Sequence, residues 1–168
     1  MFETFSISPK QTIYYANVKY DRELFLLTDL EAKGMNLSPL KTITNLKRRT
    51  EWLTIREIVS TVMPEGEDIV YNDHKKPYFK NSSSFLSISH SNKRVAICIH
   101  AQENVGIDLQ FITDKILRIK EKFLNAEELQ EVSMEVNELT AYWSIKEALF
   151  KIYGRNDAYL KENFHVKN

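Results

Sequence analysis

The segment from Trp143 to Lys151, WSIKEALFK, places one carboxylate and two ammonium groups on a predicted helix. Residues four apart on an α-helix lie one turn above each other, so Trp143, Glu147 and Lys151 share a face, and Lys146 lies about 100° around the axis. A carboxylate between two ammonium groups suits a phosphate and its metal, because the acid ligates a hard cation while the lysines neutralise phosphate oxygens. An ordinary surface ion pair of residues four apart has the same spacing.

A second candidate lies in the segment from Val105 to Gln110, VGIDLQ, whose alternating apolar residues predict a β-strand. Period two puts Gly106, Asp108 and Gln110 on one face. Because Gly106 has no side chain, a ligand or another chain can approach closely there. Asp108 is therefore a candidate metal ligand, although an aspartate at the end of a strand is also typical of a turn or cap.

Two further segments carry groups that bind anions. The segment Ser87 to Ser91, SISHS, brings three hydroxyls and the His90 imidazole together, and such groups donate hydrogen bonds to phosphate oxygens. The segment Lys75-Lys76-Pro77 places two cations beside a stiff backbone, because proline fixes its own φ and favours an extended residue before it. A serine-rich turn and a solvated lysine loop are the alternative interpretations.

Taken in order, these segments resemble the Sfp-type 4'-phosphopantetheinyl transferases. From about Arg48 to Gly154 the order is a basic helix, a Lys-Pro turn, Ser-x-Ser-His-Ser, Gly-Ile-Asp, a Phe followed by a Glu, and Trp-x-x-Lys-Glu-Ala-x-x-Lys. The last element is the most specific. The resemblance implies a holo-acyl-carrier-protein synthase, or 4'-phosphopantetheinyl transferase, that moves the phosphopantetheine arm of coenzyme A onto a serine of an apo acyl, peptidyl or aryl carrier protein and releases 3',5'-ADP.

The resemblance also implies a role for each site residue. Asp108 and Glu147 would hold Mg²⁺ against the pyrophosphate of coenzyme A, and Lys151 would contact the reacting phosphate, so these three are the expected catalytic residues. The expected contacts to coenzyme A are Arg49 (with Arg48 and Arg56 on the same helix), Lys76, Ser89, His90, Lys146 and Lys151. The base that deprotonates the carrier serine is either a carboxylate or a metal-bound water.

Gln110 departs from the pattern, which commonly has a glutamate at this position. As a third metal ligand it would bring an oxygen without a charge, so metal affinity should fall unless water or substrate compensates. We interpret the change as altered tuning of the metal site more than as loss of activity.

The fold implied by the resemblance is α/β (α+β), with two similar lobes of small antiparallel sheet plus helices and the coenzyme A site between them. Residues 1–103 would form the first lobe, with the nucleotide-phosphate contacts. Residues 104–168 would form a shortened second lobe with the metal and catalytic residues. The two lobes are expected to pack as a single compact unit, and relatives usually continue through further strands.

The residue pattern predicts the elements that carry these segments. The predicted helices are Arg22–Leu30, one within Pro39–Val62, Ile116–Phe123, Glu127–Val136 and Leu139–Tyr153, and the predicted strands are Thr12–Tyr20, Ile69–Tyr71, Phe85–Ile88, Val95–Ile99, Val105–Leu109 and Asn163–Lys167. Val95–Ile99 and Val105–Leu109 are expected to pair as a hairpin. Met63–Gly66 should end the long second helix, and Gly154 should cap the last long one.

The composition is typical of a soluble enzyme. The 23 basic and 23 acidic residues cancel, which gives no global field for nucleic acid or a membrane surface. Cys98 is the single cysteine, so an intrachain disulfide is excluded and a reducing compartment is indicated. With no apolar stretch long enough to cross a bilayer and no basic signal-peptide start, we expect a cytoplasmic protein, either a monomer or a homo-oligomer.

Two other functions fit the same residues. A non-catalytic relative could keep the coenzyme A cleft and act as a binding or scaffold protein, and Gln110 favours this interpretation. A Mg²⁺-dependent phosphohydrolase could use Asp108, Glu147 and His90 without any carrier protein. Metal-dependent transfer separates the first alternative from a transferase, and the requirement for a carrier separates the second.

Overall fold

The computed structural model describes residues 2–64 and 67–167. Within them the chain forms a four-stranded and a two-stranded antiparallel sheet and five α-helices. The strands are β1 Glu3–Ser8, β2 Gln11–Asn17, β3 Ile69–Tyr71, β4 Pro77–Phe79, β5 Phe85–Ser91 and β6 Arg94–His100. The helices are α1 Glu23–Ala32, α2 Leu46–Val62, α3 Ala126–Glu131, α4 Val136–Tyr153 and α5 Leu160–Asn163. The mixed α/β class is confirmed.

The larger sheet has the order β1-β2-β6-β5 and packs one face on α2. Period two along β5 puts Leu86, Ile88 and His90 on the α2 face and the three serines on the opposite face. On its other side α2 packs against α1, where Leu30 and Leu53 are fully buried. Because α2 is packed on both sides, its rotation is fixed, and so is the set of its side chains that faces the site.

The predicted break after α2 falls only partly on the described chain. The helix ends at Val62, with Met63 as its C-terminal cap residue. Glu65 and Gly66, the other half of the predicted break at Met63–Gly66, lie outside the described residues. Among the helices of the described chain, none is long and apolar enough to cross a membrane.

The predicted hairpin between Val95–Ile99 and Val105–Leu109 is wrong. Strand β6 is already paired on both edges, with β2 and with β5, so it offers no free edge to a further strand. Residues 105–111 are instead joined to β5 through a serine ladder, by which we mean Ser87, Ser89 and Ser91. Their hydroxyls accept the backbone N–H groups of Ile107, Leu109 and Phe111 at 3.0, 3.0 and 3.1 Å.

The second half of the described chain, residues 104–167, contains helices and turns but no strand, so the predicted second sheet is not formed there. The predicted helix Ile116–Phe123 is replaced by two short 3₁₀ turns, Asp114–Arg118 and Lys120–Lys122. In place of the predicted strand Asn163–Lys167, Phe164 packs edge-on against Phe150 and Tyr153. The division into lobes at residues 103 and 104 stays a prediction.

A buried ion pair holds this half together. Lys146 is fully buried, and its Nζ donates hydrogen bonds to Glu128 Oε2 at 2.6 Å, to the Phe123 carbonyl at 2.6 Å and to the Leu160 carbonyl at 3.2 Å. The other carboxylate oxygen of Glu128 accepts the Val166 N–H at 2.9 Å. One lysine and one glutamate therefore tie α3, α4 and the C-terminal residues into a single packed unit.

Replacing Lys146 by methionine should lower the free energy of unfolding by about 3–5 kcal/mol, because it leaves the Glu128 carboxylate buried without its partner. Chemical denaturation measures this loss. The matched control is Lys33→Met, which breaks the exposed pair between Lys33 and Asp29 and should cost less than about 1 kcal/mol. Equal losses in the two variants would show that the buried pair contributes no more to the free energy of unfolding than the exposed pair does.

The same pair should give a defined acid dependence. Burial acts to raise the pKa of Glu128, but hydrogen bonds from Lys146 and from the Val166 and Asn125 amides outweigh it, so the pKa lies below its ordinary value. The stability from this group is present above the unfolded-state pKa and is lost as the pH falls through the folded-state pKa. The free energy of unfolding should therefore fall less steeply with decreasing pH in Lys146→Met than in the wild type.

Candidate active site

A cavity of about 550 Å³ lies between α2, β5 and the C-terminal end of α4. Helix α2 contributes polar and aromatic side chains to one wall, and α4 contributes Phe150 and Lys151. The basic side chains that line the cavity are Arg48, Arg56, His74, Lys75, Lys76, His90, Lys151 and Arg155. A concave site with this many basic groups is suited to a ligand that carries several negative charges.

Asp108 lies beside this cavity and joins two parts of the chain. Its Oδ1 accepts hydrogen bonds from Ser89 Oγ at 3.0 Å and from Lys151 Nζ at 2.9 Å. Lys151 also donates to the Ile107 carbonyl at 2.8 Å. The side chain of Asp108 is only 5% exposed, and its Oδ2 has no hydrogen-bond partner within the described part of the chain. A buried carboxylate oxygen without a partner is what a cation ligand would leave in the absence of its ion.

Glu147 faces the same carboxylate from α4. Burial raises the pKa of Glu147, and the negative charge of Asp108 raises it further, while Lys151 acts in the opposite direction. Among the described residues no group of three or more His, Cys, Asp and Glu side chains could hold a metal. Two carboxylates fit Mg²⁺, which commonly takes one or two of them and completes its shell with substrate phosphates and water. Gln110 is exposed, and its role as a third ligand stays a prediction.

Gly106 brings the segment of Asp108 against α4. A Cβ atom on Gly106 would lie 2.0 Å from the Ala148 carbonyl oxygen and 2.8 Å from Ile152 Cγ1. The close approach expected at this glycine is therefore an approach by the helix backbone. Trp143, on the same helix, makes an edge-on contact with Phe123 at 5.1 Å between ring centroids.

Lys76 lines the cavity, and its ammonium group contacts α4. Its Nζ donates hydrogen bonds to Asn104 Oδ1 and to the Ile152 carbonyl, the latter at 3.0 Å. Burial lowers the pKa of Lys76. Gly154 caps α4 with a left-handed backbone, φ +71°, and this confirms the predicted helix end. The missing side chain of Gly154 also leaves room for Lys76, whose Cδ would lie 2.6 Å from a Cβ there.

Three predicted nucleotide contacts do not line the cavity. The Ser89 hydroxyl is held by Asp108 and the Leu109 amide, on the sheet face opposite His90. Lys146 is buried with Glu128, about 100° around α4 from Glu147. Arg49 turns toward α1, where its Nε bonds Glu23, and its Nη1 donates to the carbonyls of residues 40 and 43. In all three cases the side chain points away from the cavity because of its position in the repeat of its strand or helix.

His90 does line the cavity, together with Arg48. Arg48 Nη1 lies 3.1 Å from His90 Nδ1 and also contacts Nε2. Burial lowers the pKa of His90, and the nearby Arg48 charge lowers it further. His90 is therefore biased toward the neutral form.

The sequence interpretation named Arg48 and Arg56 beside Arg49 but missed Glu51 and Trp52 on the cavity face of α2. Arg56 is 1% exposed and its guanidinium stacks on the Trp52 ring at 3.9 Å from the centroid, while its Nε and Nη1 have no partner within residues 2–64 and 67–167. Glu51 lies on the same face. The signal was present in the sequence as the spacing i, i+3, i+4, i+7 and i+8 from Arg48 to Arg56, which defines one side of a helix.

The basic side chains that line the cavity and the two neighbouring carboxylates, Asp108 and Glu147, are chemically suited to a phosphorylated ligand and a divalent cation. Residues 104–167 match the family model of the 4'-phosphopantetheinyl transferase superfamily. This range contains Asp108, Glu147 and Lys151, and it begins after Lys76 and His90. A comparison with curated proteins gave no match. This match to residues 104–167 supports a phosphopantetheine transferase role in general.

Replacing Ser89 by alanine should weaken both the fold and the site. It removes one donor to Asp108 and the acceptor of the Leu109 amide, at a cost of about 1–3 kcal/mol for buried groups left unpaired. Ser91→Ala is the matched control, because Ser91 accepts only the exposed Phe111 amide. Denaturation and activity assays should both separate the two variants. Equal stability and equal activity would contradict the placement of Asp108 by the ladder.

Replacing Gly106 by alanine should displace the Asp108 segment from α4, because the new methyl group would overlap the Ala148 carbonyl. Overpacking of this kind costs about 1–3 kcal/mol, and we expect transferase activity to fall with it. The control is Gly34→Ala, where φ is +69° and no atom lies within 4 Å, so only backbone strain of about 1–2 kcal/mol arises. Full activity in Gly106→Ala would show that the site does not require the close contact between Gly106 and α4.

Proposed function

We propose that this protein transfers the 4'-phosphopantetheine group of coenzyme A to a serine of an apo acyl, peptidyl or aryl carrier protein, with release of 3',5'-ADP and a requirement for Mg²⁺. We place it in the Sfp-type branch and in the cytoplasm. The observation that carries the proposal is the Asp108 carboxylate, with one oxygen fixed by Ser89 and Lys151 and the other buried without a partner, next to a cavity lined by basic side chains. The family match over residues 104–167 supports the same reaction class.

The cationic side of the cavity would bind the phosphates of coenzyme A. Arg56 offers two buried N–H groups without partners, and Arg48 and His90 lie together at the wall. Lys76 would contribute a further cation once it is drawn from the Ile152 carbonyl. Charge-assisted hydrogen bonds of this type are stronger than neutral ones, so several of them can hold a ligand with three phosphate groups.

The reaction would take place at the α4 side of the cavity. The carrier serine oxygen attacks the phosphorus that bears the pantetheine arm, the pyrophosphate P–O bond breaks, and the electron pair leaves with 3',5'-ADP. Lys151 lines the cavity and is held by Asp108 and the Ile107 carbonyl, so its ammonium group is oriented toward this phosphate region. Positioning and charge stabilisation account for most of the barrier reduction in phosphoryl-type transfer.

Asp108 and Glu147 are the residues that would hold Mg²⁺, and the bound ion would supply positive charge to the departing phosphate. Without a cation, the two negatively charged carboxylates repel each other. The pKa of Glu147 is raised accordingly, by burial and by the charge of Asp108. The Lys151 ammonium offsets only part of this repulsion. The serine proton goes to a carboxylate or to a water in the site.

The test is intact mass spectrometry of several apo-carrier proteins incubated with this protein, coenzyme A and Mg²⁺, with and without a chelator. We expect a chelator-sensitive gain of one phosphopantetheine on at least one carrier. Coenzyme A binding without any gain would favour the non-catalytic relative. Release of phosphate or cleavage of coenzyme A in the absence of a carrier would favour the phosphohydrolase.

The variants Asp108→Asn and Glu147→Gln should each lower the transfer rate by at least about 100-fold, because each removes a charge from the cation site while keeping the side-chain shape. Asp29→Asn is the matched control, since Asp29 is in an exposed pair with Lys33 on α1. Transfer rates under saturating coenzyme A measure the effect. Wild-type turnover in either site variant would refute the assignment of that carboxylate.

A further inference from the structure

Glu51 is a buried carboxylate in the wall of a cavity whose other charged lining residues, within the described chain, are basic. The residue is 1% exposed and is carried by α2, one turn after Arg48. Its Oε2 accepts a hydrogen bond from Arg48 Nη1 at 2.9 Å and lies 3.6 Å from His90 Nδ1. Its Oε1 is buried and has no hydrogen-bond partner in the described chain. Two anion-binding groups from two different elements thus meet at one carboxylate oxygen.

This arrangement is unfavourable by two ordinary criteria. A buried carboxylate with an unpaired oxygen costs stability, so Glu51 is poorly explained as a structural residue alone. A negative charge behind a phosphate site also opposes phosphate binding through space. Glu51 would outweigh both costs if it fixes the positions of the Arg48 and His90 side chains.

We propose that Glu51 is a positioning residue, which holds the Arg48 guanidinium and the His90 ring together so that both face the 3'-phosphate of the bound nucleotide. The identity of the nucleotide as coenzyme A rests on the proposed function. Arg48 needs such support, because its side chain is 54% exposed and would otherwise sample many rotamers. His90, on an edge strand, receives the same support from across the cavity wall.

The sign of one substitution separates positioning from simple charge. Glu51→Gln keeps the shape and removes the charge. If the carboxylate acts only through its field, the variant binds an anionic ligand more tightly, because a repulsive charge is gone. If it acts by positioning, the variant binds more weakly, because a neutral amide holds the Arg48 guanidinium less firmly than a carboxylate does and no longer attracts His90 by charge.

The matched control is Glu57→Gln on the same helix. Glu57 is bonded to Arg22 at 3.0 Å and does not line the cavity, so the substitution changes the net charge equally at a remote site. Both variants are measured by calorimetry with coenzyme A and with dephospho-coenzyme A, which lacks the 3'-phosphate. Thermal unfolding is recorded for each.

We expect Glu51→Gln to weaken coenzyme A binding by about tenfold, equal to about 1.4 kcal/mol, and to leave the binding of dephospho-coenzyme A unchanged. Glu57→Gln should change the binding of neither ligand. Unchanged or tighter coenzyme A binding in Glu51→Gln would overturn the proposal. Equal weakening toward both ligands would also overturn it, because the effect would then lie in the fold and not at the 3'-phosphate.

A second readout needs no ligand. The charged groups that face His90 are Arg48, Glu51 and Lys47 of α2 and Lys151 of α4. Burial and Arg48 lower the pKa of His90 and the Glu51 carboxylate raises it, so NMR titration should show a lower His90 pKa in Glu51→Gln and no change in Glu57→Gln. No shift in Glu51→Gln would refute the contact. If the wild type fails to bind coenzyme A, the proposed function fails, and this titration still tests whether Glu51 and His90 interact.

Discussion

The contact on which the site depends is the double hydrogen bond to Asp108 Oδ1, from Ser89 on β5 and from Lys151 on α4. It connects the sheet of the first half of the chain to the longest helix of the second half. It also fixes which carboxylate oxygen is left for another ligand, since Oδ2 is buried and has no hydrogen-bond partner among the described residues. Stability and chemistry are coupled here, because the bonds that pack the two halves also orient the proposed cation site.

The backbone around this contact is arranged to permit it. The serine ladder takes up the amides of residues 107, 109 and 111, which have no strand to pair with because β6 is already paired on both edges. Gly106 then allows the α4 backbone to approach so closely that no Cβ atom would fit. On the opposite wall, α2 is packed between the sheet and α1, and its fixed rotation turns Arg48, Glu51 and Arg56 toward the cavity.

Much of this could be predicted from the sequence, because helices and motif order leave local signals. The pattern predicted α4, its Gly154 cap and the residues Asp108 and Lys151, which the structure brings together. What failed was the direction of individual side chains. Arg49 and Lys146 each lie about 100° around a helix from a neighbour that faces the site, and sequence alone does not fix that rotation.

The prediction for the extended segment after β6 was wrong for a different reason. The alternation from Val105 to Leu109 is that of a strand, and the backbone is indeed laid along β5, but side-chain hydroxyls replace the backbone acceptors of a ladder. Local periodicity carries no information on whether a neighbouring edge is already occupied. The burial of Glu51 likewise depends on tertiary packing, since a glutamate two residues after Arg49 looks like an ordinary surface residue in the sequence.

The central claim is that Asp108 and Glu147 bind a divalent cation together with coenzyme A. The most direct measurement is the enhancement of water proton relaxation by Mn²⁺, used in place of Mg²⁺, with the wild type and with Asp108→Asn, each with and without coenzyme A. We expect strong enhancement for the wild type with coenzyme A and a large loss of it in Asp108→Asn. Equal enhancement in the two proteins would show that the cation does not bind at Asp108 and would contradict the account.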